Sequence, residues 1–468
     1  MHPSPIRTGP YPGPETMARC GGPGPRYTSY PTADRFVEAF GADDYARALA
    51  ARREGRGTAS RPMSLYVHIP FCESVCFYCA CHKIVTRRHE RADDYLRLLM
   101  LEIALHERAL GLGAPVSRIH LGGGSPTFLS DAQLAALARR LRQAFAIEPD
   151  AQWSIEVDPR TADAERLERL AAMGFNRLSL GVQDLDPEVQ RVVHREQSLE
   201  SVERLIARAR ELGLRSTSID LIHGLPRQTP ERFATTIEEV CRLRPDRIAL
   251  YAYAHLPRRF KPQRHIDAAT LPSPAQRLAM LANASGRLSA AGYEHIGMDH
   301  FALPGDALAV ARRQGRLHRD FQGYSDQPAA DLLGLGVSAI GQVAGCYSQN
   351  EKSLADWGDA LRQGRFPVAR GLACSRDDLT RRHIIMALMC QGRVEYETIA
   401  QSCLIDMEKA FHAELELLRP MADQGLVALE PGAIVVTPSG WYVVRSIAMV
   451  FDRYLQADAA RAQYSRVL

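Results

Sequence analysis

The chain lacks the features that would place it in a membrane, outside the cell or on nucleic acid. No apolar run approaches the roughly 20 residues needed to span a bilayer. Residues 1–24 are rich in Pro and Gly but have no apolar signal-peptide core. The net charge of +4 over 468 residues is too small to imply a strong nucleic-acid field. We therefore expect a cytoplasmic protein with a flexible leader over 1–24 that binds neither membrane nor nucleic acid.

The sequence also lacks the paired cysteine spacing of a disulfide framework. Six of its ten cysteines are scattered, and the other four lie in "CESVCFYCAC", residues 72–81. In a reducing compartment, clustered cysteines more often bind metal or take part in redox chemistry, whereas isolated ones are usually small buried hydrophobic residues. The cluster is therefore the first candidate site.

Short β-rich runs alternate with helical segments in the first half of the chain. The β-rich runs are 64–70, 117–124, 153–159, 177–183, 217–224 and 247–254. The segments between them, such as "LSDAQLAALARRLRQAF", repeat apolar residues at helical spacing. Six strand–helix units predict an α/β fold, with a parallel sheet and outer helices forming a partial (β/α)6 TIM-like barrel.

Most of these runs end in glycine or a polar residue. These residues are Gly122–Gly124, Glu156, Gln183 and Asp220. The carboxyl ends of barrel strands meet at one rim, which is where such barrels do their chemistry. Each acid alone could equally cap the following helix. Several such residues at the same end of neighbouring strands favour a shared site. The cysteine cluster follows the first strand and should open onto the same rim.

The remaining chain divides by composition. We predict an N-terminal arm over 25–60, the barrel core over 61–260 and a barrel extension over 261–374, in which 297–341 forms loops and short elements. Residues 375–468 predict a mostly helical C-terminal domain with a hairpin, in a winged-helix-like arrangement. This segment has no dense basic patch, so a lid or structural role is favoured over DNA binding.

Three of the clustered cysteines, Cys72, Cys76 and Cys79, have the spacing C-x3-C-x2-C. Thiolates suit zinc or iron–sulfur clusters. A structural zinc site usually needs a second cysteine pair, which is missing here. A three-thiolate loop suits a 4Fe–4S cluster with one iron left open. Cys81 could be a fourth ligand, but a single residue separates it from Cys79, so the loop has difficulty aiming both thiolates at different irons.

This spacing, followed by a barrel, resembles the radical S-adenosylmethionine (SAM) superfamily. Further segments resemble the oxygen-independent coproporphyrinogen III oxidases: "GPRYTSYPT", "YVHIPFCESVCFYCACHKIVTR", "IEVDPR", "GFNRLSLGVQD", "IDLIHGLPRQT", "GMDHFA", "FQGY", "LLGLGVSAI" and "QYSRVL". The resemblance implies anaerobic decarboxylation of two propionates of coproporphyrinogen III with cleavage of two SAM. It also implies a flavodoxin- or ferredoxin-type electron donor, and we expect a monomer.

The resemblance also implies roles for individual residues. It assigns Cys72, Cys76 and Cys79 to the cluster, and it puts Tyr66 and Gln322 on the substrate side. One SAM would contact Tyr66, Gly123, Glu156 and Ile340, and a second would contact Tyr78, Gly124, Ser125, Gln183, Arg195, Asp220 and Ala254. Tyr78 stands where the family has phenylalanine.

Three other functions use some of the same features. A haem-binding chaperone on the same barrel would lack Cys81 and the "PRYTSYPT" segment, both of which are present. A different two-SAM reaction would add a carbon group instead of releasing CO2. A winged-helix redox regulator would need the basic surface that the C-terminal segment lacks.

Overall fold

The computed structural model describes residues 12–22, 24–55, 61–327 and 331–457. Its strands are β1 Met63–Ile69, β2 Phe71–Cys72, β3 Ile84–Val85, β4 Ala114–Gly123, β5 Phe145–Val157, β6 Arg177–Gln183, β7 Ser216–His223, β8 Arg247–Ala252, β9 Glu294–Gly297, β10 His300–Ala302, β11 His318–Asp320, β12 Gly323–Ser325, β13 Leu332–Leu335, β14 Ile340–Val343, β15 Cys346–Asn350, β16 Val368–Ala373, β17 Arg393–Glu395, β18 Val427–Glu430 and β19 Ala433–Val436.

The α-helices lie mostly between these strands. They are α1 Pro14–Cys20, α2 Ala42–Arg53, α3 Arg91–Leu110, α4 Asp131–Ala144, α5 Ala164–Ala172, α6 Pro187–Val192, α7 Leu199–Glu211, α8 Pro230–Leu243, α9 Pro274–Ala290, α10 Ala307–Arg313, α11 Leu354–Arg362, α12 Arg376–Gln391, α13 Tyr396–Cys403, α14 Met407–Ala410, α15 His412–Asp423, α16 Val444–Met449 and α17 Arg453–Ala457. Within the described ranges, no helix is both long and apolar enough to cross a bilayer.

A twelve-stranded sheet organises the molecule. Its order is β16-β15-β14-β13-β1-β4-β5-β6-β7-β8-β10-β9. The neighbours from β1 to β8 pair in parallel, and β13 also runs parallel to β1. β10 and β14–β16 join antiparallel at the two flanks. The predicted partial barrel of six parallel strands is confirmed, and the sheet continues beyond it on both sides.

The two faces of the parallel strands differ in polarity. On β7, Ile219 and Leu221 are completely buried, whereas the alternating Ser218 and Asp220 are partly exposed. Neighbouring residues of a strand point to opposite faces, so the apolar residues pack under the helices and the polar ones line the inside of the barrel. This alternation leaves a polar hollow in which functional groups can be held.

Outer helices begin at clear sequence signals. Ser130 caps α4 by accepting from the Gln133 amide, while the Gln133 side chain accepts from the Ser130 amide, which is a capping box. Leu134, Leu137 and Leu141 then follow at helical spacing and are buried against the sheet. The helix is thereby fixed at its start and along one face.

Ion pairs lie toward the amino-terminal ends of the barrel strands. They join arginines of the strands to acids of the segment after β10: Arg118–Asp320 at 3.1 Å, Arg177–Asp326 at 3.7 Å and Arg247–Asp306 at 2.9 Å. Asp306 also accepts from Ser216 at 3.0 Å and caps α10. Each of these three arginines thus meets an aspartate at this end of the barrel, although Arg177 Nε and Nη1 and Arg247 Nη2 are buried without a hydrogen-bond partner among the described residues.

Two regions differ from the sequence-based expectation. Residues 297–341, expected as loops and short elements, contribute β10, β13 and the start of β14 to the main sheet. In the expected leader, Pro14–Cys20 is helical, and Met17 is 1% exposed within a second core formed mainly by the C-terminal unit. Residues 1–11 lie outside the described part. The boundaries at 60, 260 and 374 stay predictions.

Candidate active site

The four clustered cysteines lie on a loop that leaves β1 and is closed by a short sheet. β2 pairs in parallel with β3, and the Thr86 amide donates to the Cys72 carbonyl at 2.9 Å. Inside the loop, the Cys79 amide donates to the Cys76 carbonyl at 3.1 Å. The backbone therefore fixes the loop from both ends.

The loop faces a cavity of about 450 Å³ at the carboxyl ends of the parallel strands. This volume is in the range of small-molecule sites. All four cysteines line it, together with these predicted residues: Tyr78, Gly123, Gly124, Ser125, Glu156, Gln183, Arg195 and Asp220. Residues distant in sequence meet here because each follows or ends a strand of the same parallel sheet.

The glycine triplet lets the end of β4 lie against the chain leaving β1. A Cβ on Gly124 would lie 2.7 Å from the carbonyl oxygens of Phe71 and Pro70. Gly123 has a φ of +128°, and a Cβ there would be 2.8 Å from the Ile69 carbonyl oxygen. The Gly124 amide donates to that same oxygen at 2.8 Å. Glycine is thus required here by protein packing as well as by any close approach of a ligand.

Two arginines and one aspartate surround Cys76. Arg195 Nη1 lies 3.4 Å from Cys76 Sγ and 3.1 Å from Asp158 Oδ2. Arg160 Nη2 lies 3.6 Å from the same sulfur and 2.7 Å from Asp158 Oδ2. Burial alone would raise the pKa of Asp158, but the two guanidinium groups outweigh it and lower the pKa. The two guanidinium groups therefore place positive charge beside the Cys76 sulfur.

Asp158, Arg160 and Tyr251 line the cavity but were missing from the predicted set. Asp158 and Arg160 lie in "IEVDPR", directly after the predicted Glu156. Tyr251 follows Ala249 on β8 at the two-residue spacing of the inward-facing positions. That periodicity could have identified Tyr251, whereas the contact between Arg160 and Cys76 depends on the fold.

The two predicted acids have different environments. Glu156 Oε2 accepts from the Gly123 amide at 3.1 Å, and its other oxygen lies 3.3 Å from His120 Nε2. Asp220 accepts from Ser179 at 3.2 Å. Burial, followed by the charge of Glu156, raises the pKa of Asp220 to about 7. Both carboxylates thus have protein partners, and the buried charge of Asp220 calls for a further cationic or hydrogen-bonding ligand.

Tyr66 lies beside this cavity without lining it. Its ring stacks on His120 with centroids 5.9 Å apart, and its hydroxyl lies 3.0 Å from His68 Nδ1. Burial lowers the pKa of His68 to about 4, so this imidazole is neutral. Its Nε2 lies 3.1 Å from the His82 carbonyl oxygen and donates to it, so Nδ1 is left to accept from Tyr66.

The other three predicted residues also lie off the cavity wall. Gln322 Nε2 donates to the Leu65 carbonyl at 3.4 Å, next to Tyr66, while Gln322 Oε1 is buried without a hydrogen-bond partner. Ile340 begins β14, close behind β13. Ala254 follows β8, and its carbonyl accepts from Gln263 at 3.1 Å.

A second cavity lies between the barrel, the N-terminal arm and the C-terminal unit. Its lining includes Arg26, His223, Asp299, Trp441 and Arg445. Arg26 pairs with Asp299 and also lies over the ring of Tyr251, 5.1 Å from its centroid. Arg26 is therefore placed between the second cavity and the cysteine cavity.

The cysteine cavity fits an iron–sulfur cluster better than a single metal ion. Within the described ranges, no three His, Cys, Asp or Glu side chains are close enough together to hold one ion. A cube instead needs soft thiolates that reach different irons across a shared space, and Cys72, Cys76 and Cys79 open onto one cavity. Lys83, Arg160 and Arg195 on the same wall offset the thiolate charge.

Known proteins show the same combination of barrel and C-terminal unit. Residues 66–240 match the model of the radical SAM superfamily, which defines the barrel as a radical SAM domain that uses a 4Fe–4S cluster and SAM. Residues 374–443 match the model of the HemN C-terminal domain.

Relatives that match almost the whole chain identify its family within the radical SAM superfamily. The chain is 48% identical over 445 residues to the oxygen-independent coproporphyrinogen III oxidase of Escherichia coli K12, covering 95% of this chain and 96% of the relative. The Pseudomonas aeruginosa enzyme of the same name is 47% identical with the same coverage. The solved E. coli structure, described as a radical SAM enzyme, superposes with a TM-score of 0.88 over 92% of this chain and 98% of that one. The chain belongs to the oxygen-independent coproporphyrinogen III oxidase family.

Proposed function

We propose that this chain converts the ring A and ring B propionates of coproporphyrinogen III to vinyl groups, giving protoporphyrinogen IX without oxygen. Each propionate loses one hydrogen atom, one CO2 and one electron, and one SAM is cleaved for each. The observation that supports this most directly is a cavity lined by the four clustered cysteines, a glycine-rich strand end and several polar strand ends. The chain that carries it is 48% identical to an enzyme of that name.

The cluster and SAM together supply the carbon radical that removes the substrate hydrogen. Cys72, Cys76 and Cys79 would hold the cluster. Arg195 and Arg160, both within 3.6 Å of Cys76 Sγ, would stabilise its thiolate.

The polar strand ends would bind two SAM molecules. Glu156, fixed by the Gly123 amide, and the neighbouring Asp220 offer carboxylates to the methionine ammonium and ribose hydroxyl groups. Gln183, which has a φ of +70° at the end of β6, lines the same cavity. The two sites would divide as the family resemblance implies: Tyr66, Gly123, Glu156 and Ile340 for one SAM, and Tyr78, Gly124, Ser125, Gln183, Arg195, Asp220 and Ala254 for the other.

Tyr66 and Gln322 would face the substrate. The Gln322 side chain donates to the Leu65 carbonyl, next to Tyr66, and its buried, unpartnered Oε1 is available to accept a pyrrole N–H. The proposal also includes a flavodoxin- or ferredoxin-type electron donor, a monomeric state and a cytoplasmic location.

Anaerobic reconstitution tests this function. The holoprotein, coproporphyrinogen III, SAM and a reductant should give protoporphyrinogen IX, with one 5′-deoxyadenosine formed for each CO2 released. Stable haem binding without that product would support a chaperone instead, and a product carrying an added carbon would support a different two-SAM reaction.

A further inference from the structure

A strongly basic segment lies next to the cysteine loop. Residues 255–265, "HLPRRFKPQRH", contain four Arg or Lys, two His and no acid; we call them the basic segment. Arg258, Lys261 and Arg264 are exposed. None of these three forms an ion pair with a carboxylate of the described residues. Three unpaired exposed cations within seven residues form a concentrated positive surface.

The basic segment is attached directly to the cysteine loop. Gln263 is 1% exposed, and its Nε2 donates to the carbonyls of Tyr78 at 2.9 Å and Ala254 at 3.1 Å. Its Oε1 accepts from the Leu256 amide at 2.6 Å. The Gln263 side chain thus ties both ends of the basic segment to Tyr78 of the cysteine loop.

An aromatic stack connects this surface to the thiols. Phe77, which directly follows Cys76, stacks on His265 of the basic segment with centroids 4.7 Å apart and planes inclined by 22°. Its other neighbour is His194, at 5.1 Å and 15°. Both histidines are exposed. The Phe77 ring therefore lies between these exposed histidines and the part of the loop that carries Cys76.

We infer that the basic segment is the docking surface for a small acidic electron-transfer protein, which reduces the cluster through the edge formed by His265 and Phe77. This inference rests on the proposed function, which requires one electron for each SAM cleaved. The partner is oxidised by one electron and the cluster site is reduced by one, and no bond forms or breaks.

A protein partner explains these cations better than the substrate does. Arg258, Lys261 and Arg264 do not line the cysteine cavity, where substrate and SAM would bind. An exposed positive patch around an aromatic centre instead suits a transient, salt-sensitive encounter with an acidic surface.

The test measures reduction of the reconstituted holoprotein without coproporphyrinogen, so that it does not depend on the decarboxylation. The variant R258Q/K261Q/R264Q is compared with R108Q/R139Q/R204Q, which removes three exposed unpaired cations from α3, α4 and α7. With photoreduced bacterial flavodoxin at low ionic strength, we expect the first variant to be reduced about tenfold more slowly than wild type and the control to stay within about twofold. Added salt should remove the difference.

Reduced methyl viologen, a small cation, provides the second measurement. Both variants should be reduced by it at the wild-type rate, which shows that the cluster and fold are intact. Wild-type rates with flavodoxin in the first variant would overturn the docking surface. Equal loss with flavodoxin and viologen would also overturn it, because the defect would then lie in the cluster loop. An unchanged flavodoxin rate with a raised KM for coproporphyrinogen would assign the cations to substrate entry instead. Failure of the decarboxylation assay alone would count against the proposed function and not against this surface.

Discussion

At the amino-terminal ends of the parallel strands, Arg118, Arg177 and Arg247 are each paired with an aspartate of the following segment. At the carboxyl ends, Glu156 and Asp220 stand at equivalent inward positions but face a cavity of about 450 Å³. Both ends of the barrel are polar. The arginines at one end meet carboxylates of the chain itself, whereas the acids at the other end also face a space that a ligand can occupy. This difference separates stabilising residues from candidate binding residues.

The largest expected effect is at the carboxyl ends of the strands, where the cysteine cavity lies. Replacing Cys72, Cys76 or Cys79 singly by Ala should abolish bound iron and SAM cleavage, because a cube held by two thiolates is readily lost. Iron analysis and 5′-deoxyadenosine assay of anaerobically reconstituted protein measure both. Cys81→Ala is the matched control and should keep its iron while turnover changes. A fully active Cys76→Ala variant would refute the cluster assignment.

The second largest effect is expected at the amino-terminal ends of the strands, where the arginine–aspartate pairs lie. Asp306→Ala leaves Arg247 buried without its partner and removes the cap of α10, so we expect a loss of about 3 kcal/mol and a fall in Tm of several degrees. Calorimetry measures Tm, and iron content should stay at the wild-type level. Asp306→Asn, which can still cap α10, should lose less. Loss of iron at unchanged Tm would show that Asp306 supports the cysteine site and would contradict its role as a stabilising residue.

Asp220→Asn should affect binding and stability in opposite directions. Loss of a charged hydrogen-bonding group weakens SAM affinity by about 10- to 100-fold. The folded pKa of about 7 lies above the ordinary value, so ionisation costs stability. This cost is absent below about pH 4, grows between pH 4 and pH 7 and is complete above pH 7. The cofactor-free variant should therefore melt higher than wild type at pH 8 and equally at pH 4.

Thermal melts across this pH range test the sign, with the exposed Asp423→Asn as control. A variant that melted lower than wild type at pH 8 would show that the Asp220 charge is already satisfied by the protein.

The smallest expected effect concerns Tyr78. Tyr78 lines the cysteine cavity, and Tyr78→Phe removes its hydroxyl while keeping the ring. We expect SAM cleavage to change by less than about tenfold, since a hydrogen bond from one hydroxyl group contributes about 1 kcal/mol. Tyr78→Leu, which removes the ring, is the comparison. A larger loss in Tyr78→Leu would assign the effect to the ring, whereas equal losses in the two variants would assign it to the hydroxyl.

The sequence alone determined the six parallel strands, because their apolar runs and the helical spacing between them are local patterns. It also determined the cysteine loop and the polar strand ends, since the topology of a parallel barrel sends all of them to one rim. Besides the cysteines, eight of the predicted site residues line the cysteine cavity.

Only the tertiary structure decided which polar residues are paired and which are available to ligands. Arg118 and Glu156 look alike in the sequence as polar positions on a strand, but one meets Asp320 from a distant hairpin and the other faces the cavity. The packing of Met17 against the C-terminal unit and the stacking of Phe77 on His265 likewise depend on contacts between residues far apart in the chain. Periodicity specifies which face of an element a residue occupies, whereas the identity of its partner is fixed only when the elements pack together.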